Sequence, residues 1–201
     1  MRSRTKTALP KLSPQPQARS ANLRQKTANT SESRITSQYH FFGVFAGPFV
    51  PNERSGMKWI TREKIKVDRV ACPWLIRNYV DSEAEFVFLP RETEWEKIDN
   101  GTMFDVPNCE LGHHGEDVSF TSFLKKYNLT QPALVLLGEI VRAADSRPTN
   151  PHPAGEGLRW IASGFGTLGL SDHEILEREF IVYDALYAEC KRRMELRLSL
   201  K

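Results

Sequence analysis

Apolar positions fall into short runs in the first half of residues 57–201 and into helical stripes in the second, with the change near residue 118. "KWITRE" (58–63) and "EFVFLP" (85–90) are rich in β-branched and aromatic residues and end on charge or turn signals, so they read as strands. "MFDVP" (103–107), closed by Pro107 and Asn108, reads as a third. Between the first two, Val70, Trp74, Leu75 and Val80 recur at helical spacing, and Pro73 is tolerated only in that helix's first turn. Further on, Phe120, Phe123, Leu124 and Tyr127 form one stripe, and a second helix runs from Pro132, near its first position, to Asp145. "PAGEGLRWIASGFGTLG" is a glycine-loosened helix with a stop. Ser171 followed three residues later by Glu174 is a capping-box pattern, opening a last helix whose apolar series continues to about Leu196. Strands first and helices later predict an α+β domain, mainly helical, with a small β-sheet formed by its N-terminal half.

Residues 1–56 break this picture. They are rich in Ser, Thr, Gln and Pro and carry nine basic residues against Glu32 and Glu53, without apolar periodicity, so they predict a disordered basic leader. The net charge of +3 belongs to that leader, because residues 57–201 hold 19 basic and 23 acidic residues, a net −4. A nucleic-acid arm, a transit peptide or a secretion signal would share such a composition. The apolar run "YHFFGVFAGPFV" is too short to span a membrane and lies too far from the amino terminus for a simple signal. Met57, where domain-like composition begins, is a candidate natural start, 1–56 then being an over-extended reading of the gene. Cys72, Cys109 and Cys190 are odd in number and widely spaced, as reduced thiols of a cytoplasmic protein would be.

The candidate chemistry starts at "ELGHHGEDVSF" (110–120). Neutral histidine is a common metal ligand, but adjacent side chains in an extended segment point opposite ways, so one of His113 and His114 faces a site and the other solvent. Gly112 and Gly115 permit close approach and positive φ; an ordinary polar turn would use the same residues. On the last helix His173, Glu177 and Asp184 share a face, and Asp184, flanked by Val182, Tyr183, Ala185 and Leu186, is the acid expected to be buried. Asp145 ends an apolar helix, where a carboxylate opposes the macrodipole unless a metal, an arginine such as Arg142 or a cap offsets it. Arg69 and Arg77, eight apart, fall on one helix face and form a candidate oxyanion site, with Cys72 one turn from Asp68.

"DRVACPWLIRNYVDSEAEFVF", "FDVPNCELGHHGED", "DHEILE" and "VYDALY" together resemble the C-terminal domain family of the chromate resistance protein ChrB, also called the chromate resistance exported protein family. The resemblance covers essentially all of 57–201 and implies a bacterial protein of chromate resistance. His113, Gly115 and Phe120 match the family's His-x-Gly segment, Asp145 its helix-terminal acid, and Asp184 its Tyr-Asp-Ala-Leu-Tyr run. Val118 stands where many relatives carry cysteine and Arg142 where some carry histidine, which argues against thiol redox chemistry and a histidine-rich site.

The expectation is a cytoplasmic domain that senses or handles chromate, or another small oxyanion, through a site assisted by a divalent transition metal on His113, Asp145, His173 and Asp184. One alternative is a metal-dependent hydrolase or redox enzyme unrelated to chromate, with Glu116 or Asp145 moving the proton. The other is a nucleic-acid-binding regulator, for which the acidic folded part is poorly suited.

Overall fold

The computed structural model describes residues 56–200. The segment 1–55, on which the expectations of a disordered leader fall, lies outside the described residues. Three strands, β1 (Lys58–Arg62), β2 (Glu85–Leu89) and β3 (Thr102–Met103), form one parallel sheet in the order β2-β1-β3. Trp59, Ile60 and Thr61 are all buried in β1, as in a central strand covered on both faces. Helix α1 (Asp68–Tyr79) is the crossover from β1 to β2, the connection a parallel pair requires.

Four helices follow: α2 (Ser119–Lys126), α3 (Pro132–Asp145), α4 (Ala154–Phe165) and α5 (Asp172–Ser199). The architecture is the expected one, mainly helical with a small N-terminal sheet. Pro132 opens α3. Ser171 caps α5, with the Glu174 side chain returning to the Ser171 backbone in a complete capping box. One core runs from Trp59 on β1 to Cys190 on α5, with Phe123 ring contacts to Trp59 and Phe104 at 5.8 and 6.0 Å joining α2 to the sheet. Gly155 lets α4 cross α3 closely, since a Cβ there would stand 2.5 Å from that of Ala143.

Two local expectations are corrected. The third strand ends at Met103 rather than Pro107, because Phe104 makes a single bridge to Leu111 and Asp105 turns to φ 48°. Pro73 is the sixth residue of α1, beyond its first turn. The missing N–H would have bonded the Arg69 carbonyl, and burial of eight α1 residues supplies the compensation. Among the described residues, no helix is long and apolar enough to cross a membrane.

Candidate metal centre

From β1 the chain crosses through α1 to β2 on one side, and β3 then pairs on the other. The carboxyl ends of β1 and β3 are therefore a topological switch point, the place where open parallel sheets bind ligands. A cavity of about 540 Å³ opens there, walled by Arg62, Arg69, Asp105, Cys109, His113 and Asp145.

The polar residues in and behind this wall come from several elements. Asp68, 1% exposed at the start of α1, accepts the Ser119 and Phe120 backbone N–H groups at 2.6 and 3.0 Å, so its carboxylate satisfies the free amide end of α2. Asp105 follows β3 in the left-handed region, which Asp tolerates. Its carboxylate accepts from Arg69 Nη1 at 3.1 Å and from the Ser119 hydroxyl at 2.9 Å. Ser119 therefore fixes both acids, one through its amide and one through its side chain. Arg62 Nε donates to the Asp105 carbonyl at 3.2 Å.

His113 enters from the glycine-rich loop, where Gly115 has φ +64° and a Cβ on Gly112 would lie 3.1 Å from Cys109 Sγ. Its Nε2 stands 3.2 Å from Asp68 Oδ2, 3.2 Å from Asp105 Oδ1 and 3.5 Å from Asp145 Oδ2. His114 also borders the cavity, but it is exposed and its Nε2 stands 2.8 Å from the Glu110 carbonyl oxygen, away from the three acids.

The electrostatics follow from this packing. Hydrogen bonds to Asp105 and Asp68 outweigh burial and raise the His113 pKa to about 10. Burial, then the negative charges of Asp68 and Asp105, raise Asp145 to about 6. For Asp105 burial opposes ionisation, but the His113 hydrogen bond and the Arg69 charge prevail and lower its pKa. With the imidazole protonated, His113, Arg62 and Arg69 together balance the three carboxylates, and a metal ion bound there would take the place of the imidazole proton. Oxygen and nitrogen atoms of Asp68, His113 and Asp145 all lie within 4.8 Å of one another, so this trio could hold a metal ion.

Helix α5 braces the centre from behind. In the β1–α1 loop, Lys64 and Val67 have φ of 58° and 32°, costly values for non-glycine residues and most so for β-branched valine. The Asp172 carboxylate accepts the Lys64 and Ile65 amides, both at 2.9 Å, and the Tyr183 hydroxyl donates to the Val67 carbonyl at 2.8 Å. These bonds fix the loop that delivers Asp68 and Arg69.

Of the residues singled out from sequence, the structure brings His113, Asp145 and Arg69 together. His173 lies elsewhere, its ring 5.0 Å from that of Phe88. Asp184 is exposed rather than buried and accepts from Trp74 Nε1 at 2.8 Å. The buried α5 stripe is Ile175, Leu176, Glu179, Tyr183 and Cys190, one residue off the expected face. Arg77 sits over the Phe86 and Phe180 rings, at 5.3 and 5.7 Å. Arg69 and Arg77 are thus held apart, one on Asp105 and the Lys64 carbonyl and the other on the Ala84 carbonyl and these rings, and do not converge on one anion seat here. Glu116, 93% exposed, stands 3.7 Å from Arg142, which therefore does not serve Asp145. Asp68 and Asp105 were missed as site residues. For Asp105 the available signal was an acid set between Phe104 and Val106 in an apparent strand, whereas Asp68, between Val67 and Arg69 at a helix start, gave none.

A small parallel sheet backed by helices, with carboxylates and an imidazole at its switch point, defines an α+β domain with a side-chain cluster that could hold a metal ion. The family model described as ChrB, C-terminal domain, matches residues 59–190, and the chain belongs to that family. It is 32% identical over 138 residues to "Protein ChrB" of Cupriavidus metallidurans, a match covering 68% of this chain and 42% of that protein. The chain thus spans less than half the length of this curated relative. No solved structure matches.

Proposed function

We propose that this chain is a chromate-resistance domain that senses or handles chromate at a centre where Asp68, His113 and Asp145 hold a divalent transition metal. Family membership motivates the oxyanion. The observation that carries the site is Asp68: a buried carboxylate, fixed by two backbone amides, directed at His113 beside a second acid. Two carboxylates and one imidazole suit manganese, iron or zinc better than a thiophilic ion. Such an ion would supply a Lewis-acid centre with open positions for water or an oxyanion oxygen. Arg69 and Arg62 orient the anion from the cavity wall by charge-assisted hydrogen bonds, while Asp105 keeps both guanidiniums in place.

His173 and Asp184, named as candidate ligands with His113 and Asp145, have no part in this reading, nor does Arg77. Glu116 lies too far out to be assigned the proton transfer. A cytoplasmic location accords with three cysteines that are free and buried.

Elemental analysis of protein purified without an affinity tag, followed by chromate titration calorimetry, tests the reading. We expect near-stoichiometric manganese, iron or zinc, and chromate binding that Asp68→Asn abolishes. Absence of bound metal after supplying all three ions, or unchanged chromate tolerance in a host lacking the gene, would overturn it.

A further inference from the structure

Beside the metal centre lies a second cavity of about 360 Å³, walled by Arg62, Glu63, Lys64, Arg69, Arg91 and Glu92. Arg62 and Arg69 also line the first cavity and form a wall common to both. The second one lies along the carboxyl edge of β1 and β2: Arg62 ends β1, Arg91 follows the end of β2, and Arg69 is in the first turn of α1. Four cations from separate segments thus meet at the edge where parallel sheets bind ligands, beside Glu63 and Glu92, with Asp105 paired to Arg62 and Arg69 and Glu63 to Lys64.

Their hydrogen-bonding capacity is not used up by the protein. Arg69 donates from Nη1 to Asp105 and from Nη2 to the Lys64 carbonyl, while its Nε, shielded from solvent, has no acceptor. Arg91 makes no hydrogen bond or ion pair among the described residues. Lys64 is kept at φ 58° by the Asp172 carboxylate, so the fold sustains backbone strain to shape this rim.

Size points the same way. Cavities of about 300–1,000 Å³ hold organic ligands of many atoms, whereas a tetrahedral oxyanion has five and occupies a small part of the 540 Å³ centre alone. We infer that the site takes a small molecule with two or more linked anionic groups, of the phosphorylated class, one group at the metal centre and another among Arg62, Lys64, Arg69 and Arg91. Chromate, a tetrahedral dianion like a phosphate group, then occupies the seat of one group of this larger ligand. The inference rests on the proposed oxyanion site for the first seat and on the basic cavity for the second. Planar guanidiniums pair with phosphate oxygens two at a time, which suits arginine to this role.

The probes are tripolyphosphate and orthophosphate, titrated by calorimetry into the metal-loaded full chain at about 0.15 M salt, where long-range attraction is screened. Elemental analysis of the protein after each titration checks that the metal has stayed bound and has not passed to the phosphate chain. We expect tripolyphosphate to bind at least tenfold more tightly than orthophosphate, and Arg91→Ala to remove most of that advantage while leaving orthophosphate affinity unchanged. Arg197→Ala, the same charge removed from the far end of α5, should leave the advantage intact. Equal affinities for the two probes, or equal losses from both arginine variants, would overturn the second seat. Chromate titrated into metal-loaded Arg91→Ala separates this from the underlying reading: binding as in the unaltered protein assigns chromate to the first seat, and a tenfold loss contradicts the two-seat arrangement. Absence of chromate binding to the unaltered, metal-loaded protein refutes the chromate reading and the mimicry drawn from it, while the phosphate comparison still decides the second seat.

Discussion

Glu179 is fully buried on α5, and neither of its carboxylate oxygens has a hydrogen-bond partner among the described residues. Burial pushes its pKa from the ordinary 4.5 up to about 7, because leaving water disfavours the charged form. Glu179→Gln keeps the shape and removes the titration. The sign follows from proton counting. Below pH 4.5 both folded and unfolded chains are protonated here, so the contribution to stability is complete. Between pH 4.5 and about 7 the unfolded chain loses its proton while the folded one keeps it, and stability falls by up to about 1.4 kcal/mol per pH unit. Above pH 7 both are ionised and the loss levels off. The full window corresponds to about 3 kcal/mol, and local relaxation around the ionised carboxylate brings it to about 2.

Urea denaturation of both proteins at pH 5, 6, 7 and 8 isolates this effect, because every other titrating group is common to them. The glutamine amide, itself short of partners, adds an offset of about 1–3 kcal/mol that does not change with pH. The informative quantity is therefore the slope of the stability difference. It should move in favour of Glu179→Gln by about 2 kcal/mol from pH 5 to pH 8, most of it before pH 7. A difference that stays flat across this range would show that the Glu179 carboxyl is solvated or paired in the folded chain.

The remaining predictions concern the centre and its brace. Asp68→Asn should lower stability by about 1–3 kcal/mol even without metal, since an amide oxygen is a weaker acceptor for the two α2 amides; thermal unfolding with excess chelator measures this. His113→Ala should weaken metal binding at least tenfold with an unchanged circular-dichroism spectrum, whereas His114→Ala should alter stability by less than about 0.5 kcal/mol and leave metal affinity nearly intact; equal effects would remove His113 from the centre. Tyr183→Phe should lose about 1 kcal/mol with its bond to the Val67 carbonyl, and amide exchange should quicken in the β1–α1 loop if that bond holds the loop in place.

How much of this could be read from the chain depends on the range of the interactions involved. Ser171 with Glu174, and Pro132 ahead of an apolar run, define helix starts within a few residues, and both appear in the fold as expected. The stripe on α5 was harder because Glu177, Arg178 and Glu179 are consecutive charges. One residue is 100° of helix, and only packing against α1 and α3 selects Glu179 and Tyr183 for the interior over Glu177 and Asp184. The site divides along the same line. His113 and Asp145 stood out because an imidazole beside glycines and an acid at a helix's carboxyl end each conflict with their local setting. Asp68 conflicts with nothing local, since an acid in a helix's first turn is favourable there. What makes it a site residue is the amide end of α2, 51 residues away. Asp105 lay within an apparent strand, and its role depends on leaving that strand at φ 48°. Ser119 is quieter still, an ordinary helix-starting serine whose amide and hydroxyl separately fix Asp68 and Asp105. Asp68 and Ser119 were therefore hidden for a physical reason: each satisfies a local rule, and the purpose they share with Asp105 arises only when the pairing of β1 with β3 closes the switch point around them.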